Sequence, residues 1–261
     1  MDKQINIKEA LDWYIWAGVV ETCGDFACIE EQKIDIPAKP QGEKKANAVS
    51  GVNHLPVSPA IKNAKDLCEK ISSMDELREA LINFKGCNLK NTAASTIIGE
   101  GKIDADIMFI GEAPGADEDK LGRPFVGKCG KLLDIMLTSI NISRDNCYIT
   151  NILPWRPPGN RTPTDEELSI CLPFIRKQIE LINPKIIVLL GGVALKSLME
   201  TNDPISRSRG KWLEYDTGKG SKINAIATYH PSFLLRNSLQ KSKSWTDLLR
   251  LSDKVVELDI N

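Results

Sequence analysis

The sequence lacks a long apolar run, a secretory leader and a large excess of charge of either sign. No uninterrupted apolar stretch reaches the roughly 18 residues of a membrane-spanning helix, and no basic region followed by an apolar core opens the chain. We therefore expect no membrane association and a cytoplasmic location. The formal net charge of −1 excludes a surface that is basic throughout. Any nucleic-acid site must therefore depend on local charges.

Histidine is scarce and cysteine is scattered. The chain has two histidines and seven cysteines, and the cysteines are not closely paired. An odd number of dispersed cysteines is unlike a secreted disulfide scaffold and suits a reducing compartment. Of the two histidines, His54 lies in a polar stretch, whereas His230 directly follows an apolar run. His230 is therefore the candidate functional histidine.

The 261 residues divide into three segments. Apolar residues from Ile7 to Ile15 have helical spacing, which predicts an N-terminal helical segment within residues 1–29. Residues 30–60 are rich in Lys, Pro, Gly, Asn and Ser and are expected to form a flexible linker. The main domain is expected over residues 61–261, which is long enough to bury a full core.

Strand and helix patterns alternate in the main domain. Four short apolar runs predict buried strands, at Ile107 to Ile110, Tyr148 to Ile152, Ile186 to Leu190 and Ala225 to Tyr229. Helical periodicity falls at 128–140, 165–182, 192–199 and 244–258, and Ser73 with Glu76 predicts the start of a further helix. The alternation predicts a three-layer α/β/α fold around a central four-stranded parallel sheet.

Unusual turns follow three of these strands. The segment from Gly111 to Gly130 holds five glycines and four acidic residues, and it has neither a GxGxxG pattern nor a P-loop lysine. Asn151 and His230-Pro-Ser232 follow two other strands. Because ligands of parallel sheets bind at the carboxyl ends of the strands, the three turns are expected to form one crevice.

The motifs in these turns resemble those of the family 4 uracil-DNA glycosylases. The matching motifs, in chain order, are Gly111-Glu-Ala-Pro-Gly, Gly122-Arg-Pro-Phe-Val-Gly, Tyr148-Ile-Thr-Asn-Ile, Arg156-Pro-Pro-Gly-Asn-Arg, Arg209-Gly-Lys-Trp and His230-Pro-Ser-Phe-Leu-Leu-Arg. The resemblance covers about residues 84–255. It implies a monomeric enzyme that hydrolyses the N-glycosidic bond of deoxyuridine in uracil-containing DNA, releases uracil and leaves an abasic site.

The resemblance also implies a uracil pocket. Phe125 would stack on the flipped base, and the carboxamide of Asn151 would match O4 and N3–H of uracil. The backbone at Ala113 and Phe125 would contact the base, and Glu118 would lie near C5. Each residue also has a structural alternative: core packing for Phe125, a turn cap for Asn151, and a solvated acidic turn for Glu118.

Catalysis would rest on Glu112, His230 and Asn151. By resemblance, His230 would donate a hydrogen bond to uracil O2, and Glu112 would stabilise the sugar cation or orient the attacking water. A buried structural histidine is the alternative for His230.

Contacts with DNA are expected from the last motifs. Leu234 and Leu235 are candidate wedges for the gap left by a flipped base, although both could equally be buried leucines of a helix. The residues expected to contact the DNA backbone are Arg209, Lys211, Ser232 and Arg236.

The family pattern fails at its iron–sulfur site. The four cysteine positions of the family fall on Phe84, Cys87, Trp155 and Cys171, so two thiolates are missing. A 4Fe–4S cluster ordinarily needs four. We therefore expect no bound metal and no cofactor requirement, and the two aromatic residues are expected to fill the space of the cluster.

Two other functions remain open from the sequence. One is a binding module that recognises uracil-containing or damaged DNA without turnover. The other is an enzyme of small nucleotides, which would suit the near-neutral charge but would leave the wedge leucines and Arg236 without a role.

Overall fold

The structure, a computed structural model, describes residues 58–260. The expected N-terminal helical segment and nearly all of the expected linker lie outside the described residues. The first helix, α1 (Pro59–Lys70), begins at the end of that expected linker and was not predicted. Helix α2 (Met74–Asn83) begins as predicted, because the Ser73 hydroxyl accepts a hydrogen bond from the Glu76 amide.

The sheet has six strands and not the four that were expected. The strands are β1 (Glu100–Gly101), β2 (Ile107–Gly111), β3 (Cys147–Asn151), β4 (Ile186–Leu190), β5 (Trp212–Asp216) and β6 (Lys222–Thr228), in the order β1-β3-β2-β4-β6-β5. The four central strands are parallel and match the predicted runs. The two edge strands are antiparallel to their neighbours. They escaped prediction because β1 has only two residues and β5 is largely exposed, so neither carries a continuous apolar run.

Helices cover both faces of the sheet, which confirms the three-layer arrangement. They are α3 (Ala116–Leu121), α4 (Lys128–Thr138), α5 (Asp165–Ile182), α6 (Gly192–Met199), α7 (Ile205–Ser208), α8 (Pro231–Arg236) and α9 (Lys241–Glu257). Alternate side chains of β2 enter opposite cores. Ile107 and Phe109 pack with residues of α4 and α9, whereas Met108 and Ile110 pack with residues of α5 and α6. Among the described residues, no helix is long and apolar enough to cross a membrane.

The path of the chain places a crevice at the end of β2. Helix α4 connects β2 to β3 on one face of the sheet, and α5 then connects β3 to β4 on the other face. Strands β3 and β4 lie on opposite sides of β2 in the sheet, and the helices that lead to them lie on opposite faces. The two connections therefore separate at the carboxyl end of β2. Such a switch point opens a crevice for a ligand. The predicted pocket residues follow β2, its neighbour β3 and, beyond β4, strand β6.

Candidate active site

A cleft of about 840 Å³ lies at the carboxyl ends of the parallel strands. It brings together eight of the predicted site residues: Glu112, Ala113, Glu118, Phe125, Asn151, His230, Ser232 and Arg236. The other predicted residues, Arg209, Lys211, Leu234 and Leu235, are not among those that line it. The cleft is within the size range of small-molecule sites.

Asn151 and Phe125, which line the cleft, pack against each other beside Gly111. Gly111 and Asn151 are paired at the ends of β2 and β3. A Cβ on Gly111 would lie 2.4 Å from Asn151 Oδ1 and 2.6 Å from Phe125 Cζ, so only glycine leaves space for both side chains. Asn151 is buried, and its Oδ1 has no hydrogen-bond partner among the described residues. An unpartnered acceptor therefore lies beside the aromatic ring.

Phe125 adopts an unusual backbone conformation. Its φ is +51°, in the left-handed region that bulky residues rarely occupy. Such strain costs on the order of 1–3 kcal/mol and persists only where the surroundings fix it. The side chain is 5% exposed and also packs with the core beneath α4. The functional and structural interpretations of Phe125 are thus both compatible with its position.

The Glu118 carboxylate binds the backbone of the loop that carries Phe125. One carboxylate oxygen accepts hydrogen bonds from the amides of Val126 (3.0 Å) and Gly127 (2.9 Å), and the other accepts from the Gly115 amide (3.1 Å). With 8% of its surface exposed, Glu118 is not part of a solvated acidic turn. The sequence pattern did not predict this anchoring, because its partners are backbone amides across a turn.

His230 presents a hydrogen-bond donor. The Ser232 amide donates to Nδ1 over 3.1 Å, so the proton of the neutral ring lies on Nε2. Nε2 is buried and unpartnered among residues 58–260. Burial, with a smaller effect from the charge of Arg236, lowers the pKa of His230 to about 4. The imidazole is therefore neutral at physiological pH.

Glu112 enters the cleft from the end of β2. Burial raises the pKa of its carboxyl above the ordinary value. Its backbone carbonyl accepts a hydrogen bond from the Leu153 amide (3.1 Å), which ties the turns after β2 and β3 together. A carboxylate and a neutral imidazole thus occupy one cleft, at the ends of β2 and β6, and the carboxamide of Asn151 lies at the end of β3, on the other side of β2.

The proposed DNA-contacting residues separate into two groups. Ser232 and Arg236 line the cleft, and Leu235, in the same helix α8, is 39% exposed. Leu234 is fully buried in the core, which agrees with its structural alternative. The Arg161 and Lys196 side chains also line the cleft, although the sequence did not single them out as site residues.

Arg209 and Lys211 do not line the cleft with these cationic side chains. The guanidinium of Arg209 is held inside the protein by the carboxylate of Asp247, with Nη2 2.6 Å from Oδ1 and Nε 3.0 Å from Oδ2. The buried carboxylate requires a counter-charge, and Arg209 supplies it. Lys211 is exposed but lies outside the cleft. Arg209 and Lys211 therefore lie apart from the cationic residues that line the cleft.

Comparison with known proteins agrees with the motifs. The profile of the Uracil DNA glycosylase superfamily matches residues 98–249, which is more than half of the chain. This chain belongs to the uracil-DNA glycosylase superfamily. The matched region contains the turns after β2, β3 and β6, and therefore all three parts of the cleft.

Three type-4 uracil-DNA glycosylases are among its relatives. The one from Archaeoglobus fulgidus is 38% identical, over 70% of this chain and 94% of its own length. The one from Thermotoga maritima is 42% identical, over 63% of this chain and 84% of its own. The one from Sulfurisphaera tokodaii is 41% identical, over 64% of this chain and 78% of its own.

The residues at the family's cluster positions form an apolar core. Phe84 stacks with Trp155, with ring centroids 6.4 Å apart, and meets the edge of Phe174 at 4.9 Å. Cys87 and Cys171 are both buried in the same core. A hydrogen bond between their thiols lowers the pKa of Cys87 and raises that of Cys171.

This core does not fit a four-thiolate cluster, because aromatic rings occupy two of the four positions. No group of three or more metal-binding side chains is found within residues 58–260. Cys68 is buried in this core as well, whereas Cys23 and Cys28 lie outside the described part of the chain.

Proposed function

We propose that this protein is a uracil-DNA glycosylase, which hydrolyses the N-glycosidic bond of deoxyuridine in DNA, releases uracil and leaves an abasic site. One observation carries the proposal: Asn151 Oδ1 and His230 Nε2 are both buried at one cleft and have no hydrogen-bond partner within residues 58–260. The first is an acceptor and the second, in the neutral ring, is a donor. Since buried polar groups are normally paired, this arrangement suits a ligand that supplies both partners.

Uracil supplies both partners, a donor for Asn151 Oδ1 and an acceptor for His230 Nε2. Asn151 Oδ1 would accept from N3–H, and the Asn151 amide group would donate to O4. Cytosine has the opposite polarity at both positions, so the same side chain rejects it. Phe125 would stack on the base, with the Ala113 and Phe125 backbone beside it. We retain Glu118 as the residue that faces C5 and excludes the methyl group of thymine.

In the chemical step His230 acts on the departing base and Glu112 acts on the sugar. Cleavage of the N-glycosidic bond transfers its electron pair to uracil, and the Nε2–H of neutral His230 stabilises the resulting anion through O2. The sugar is left with oxocarbenium character, which the Glu112 carboxylate stabilises. Water then adds to C1′, and its proton passes to Glu112 and from there to solvent or to the released base. A neutral imidazole suits this role, because it donates without protonating the base fully.

The rim of the cleft provides the DNA contacts in this proposal. In this proposal Arg236, Lys196 and the Ser232 hydroxyl contact phosphates, whereas the two Nη atoms of Arg161 are already bound to Glu167, over 2.9 and 2.5 Å. Leu235 is the proposed wedge, since its side chain is exposed whereas that of Leu234 is not. A local cationic rim reconciles DNA binding with a net charge of −1.

We further propose that catalysis requires no cofactor and that Phe84 and Trp155 take the structural place of an iron–sulfur cluster. The stacked rings and the two remaining thiols support this proposal. Iron and acid-labile sulfide are to be measured on the full chain purified without oxygen. Less than stoichiometric iron is expected, and stoichiometric iron would contradict the proposal.

The monomeric state and the cytoplasmic location stay proposals as well. Light scattering after size-exclusion chromatography tests the first, and cell fractionation tests the second. A dimer mass or recovery in the membrane fraction would overturn them.

The activity itself is tested with an oligonucleotide that contains a single uracil. Alkali after incubation should reveal strand breaks at uracil, and free uracil should appear in equal amount. Glu112→Gln should abolish most of this release, whereas Glu166→Gln, on the exposed surface of α5, should not change it. Binding to the uracil strand without release by the wild type would favour a recognition module. Release only from mononucleotides would favour an enzyme of small nucleotides.

A further inference from the structure

The backbone carbonyl of Phe125 is hydrogen-bonded to an arginine outside the cleft. Arg144 lies in a 3-10 turn, Arg144–Asn146, immediately before β3. Its Nη1 donates to the Phe125 carbonyl (3.1 Å), and its Nη2 donates to the Pro124 carbonyl (2.6 Å). One guanidinium therefore fixes two successive carbonyls at the residue whose φ is +51°. Lysine has no such planar fork of donors.

Two carboxylates orient this guanidinium. Asp134 of α4 accepts from Nη1 over 2.8 Å, and Glu100 of β1 lies 3.7 Å from Nε. The Arg144 side chain is 20% exposed, so these contacts are only partly open to water. Glu100 also binds Arg123, which is 62% exposed. Arg123 therefore shares the carboxylate of Glu100, but no hydrogen bond of Arg123 to the Phe125 segment is present in residues 58–260.

The Phe125 segment is held from both sides. Arg144 takes the carbonyls of Pro124 and Phe125, and Glu118 takes the following amides of Val126 and Gly127. Beneath them, a Cβ on Gly130 would lie 1.7 Å from the Phe125 carbonyl oxygen, so α4 lies directly against the segment. The backbone has little freedom to relax while these contacts persist.

We infer that Arg144 is a positioning residue for uracil stacking: it fixes the backbone of Phe125 and thereby the ring on which the base stacks. The inference rests on the proposed function of the cleft and deepens it. Arg144 does not line the cleft, so it acts through Phe125 and not on the substrate itself. Its loss should affect recognition of the base more than contact with the DNA backbone.

The test compares Arg144→Met with Arg123→Met. Both changes remove a guanidinium that binds Glu100, but only the first releases the Phe125 carbonyls. For Arg144→Met we expect kcat/KM on uracil-containing DNA to fall roughly 10- to 100-fold, since small misplacements of a bound group have effects of this size. Inhibition by free uracil should weaken in parallel, while affinity for uracil-free DNA stays unchanged. Arg144→Lys should recover part of the loss, and Arg123→Met should remain within about twofold of the wild type.

A purely structural role predicts a different pattern. In that case Arg144→Met would lower the active fraction and the melting temperature, with an unchanged inhibition constant for free uracil in the folded fraction. That pattern, or wild-type kinetics in Arg144→Met, would overturn the inference. If Arg144→Met does not fold, the inhibition constant of Arg144→Lys decides in the same way.

Failure of the proposed function is separable from failure of this inference. A wild-type protein that releases no uracil refutes the activity. The positioning by Arg144 is then judged from a crystal structure of Arg144→Lys or Arg144→Met. An unaltered Phe125 φ and ring position in either variant would refute it, and a shifted ring would support it.

Discussion

Gly191 and His230 are packed against each other at the ends of β4 and β6. A Cβ on Gly191 would lie 3.0 Å from the Cβ of His230, and the φ of Gly191 is +97°. The backbone after β4 therefore approaches the catalytic candidate as closely as a glycine allows. This contact limits where the imidazole can lie, and it links a strand that carries no predicted site residue to the chemistry of the cleft.

Gly191→Ala is expected to impair catalysis by displacing His230. The positive φ alone strains any alanine, so Gly218→Ala is the matched control: its φ is +72° and it has no atom within 4 Å of the added Cβ. Gly218→Ala should lose about 1 kcal/mol or more of stability from the backbone, and Gly191→Ala should lose more, because its backbone (φ +97°, ψ 173°) lies in a region essentially limited to glycine. Only Gly191→Ala should lose kcat, by roughly tenfold or more. Equal kcat in the two variants would show that the contact with His230 has no catalytic consequence.

Asn151→Asp is expected to relax the choice of base. The variant keeps an acceptor at the position of Oδ1 but loses the donor toward O4 of uracil, and its second oxygen accepts from the amino group of cytosine. Excision of uracil should fall strongly, and the ratio of uracil to cytosine excision should fall by at least about tenfold. Parallel assays on oligonucleotides with uracil or cytosine at one position measure that ratio. An unchanged ratio would remove Asn151 from base selection.

The features that the sequence predicted are local ones. Each central strand is a buried apolar run. Gly111, Asn151 and His230 lie where such runs end, so the sequence pattern itself locates them at the carboxyl ends of the strands. Edge strand β5 has no such run because one of its sides is exposed. Contacts that join distant segments left no local pattern either. Arg144 and Phe125 are 19 residues apart, and Arg209 and Asp247 are 38 apart.

The acid limb of the pH profile should belong to Glu112. Its role requires the carboxylate, and burial raises its pKa above the ordinary value of 4.5. Activity should therefore fall as the pH drops through a value above 4.5, and His230 should contribute no limb near 6.5, because it stays neutral there. The profile of log(kcat/KM) against pH measures this. A limb near 6.5 that disappears in His230→Gln would contradict the assignment.

Glu112→Gln should also be more stable than the wild type at neutral pH. A carboxyl whose pKa is raised in the folded state binds its proton more tightly there than in the unfolded chain, so folding is disfavoured as the pH rises through that pKa. The amide removes this effect. Chemical denaturation at pH 7 and at pH 4 compares the two proteins. The stability advantage of the variant should shrink at the lower pH, and an advantage that grows there would contradict the prediction.

His230 should make the protein less stable in acid. Its folded-state pKa of about 4 lies below the ordinary 6.5, so the unfolded chain takes up the proton first as the pH falls. Its contribution is therefore fully present above pH 6.5 and is lost progressively toward pH 4, up to about 3 kcal/mol. His230→Gln lacks this titration. The difference in unfolding free energy between the two proteins should change over that window, and a constant difference would refute a buried neutral imidazole.

Arg209 should contribute to stability and not to DNA affinity. Its partner Asp247 has 2% of its side chain exposed and also accepts from the Thr228 hydroxyl (2.7 Å). Burial raises the pKa of Asp247 despite this pairing, so the carboxylate depends on the guanidinium to remain charged. Arg209→Met should therefore lower the unfolding free energy by about 3 kcal/mol, because it leaves a buried charge without its counter-ion.

The exposed pair of Lys222 and Glu214 provides the control for this prediction. Its side chains are 61% and 67% exposed, and Lys222→Met should cost less than about 1 kcal/mol. Arg209→Met with Asp247→Leu should recover much of the loss, since the second change removes the unpaired carboxylate. Measured at equal folded fraction, the affinity of Arg209→Met for uracil-free duplex should match the wild type. A weaker affinity with a reduced salt dependence would instead return Arg209 to the DNA surface, since each lost phosphate contact lowers that dependence.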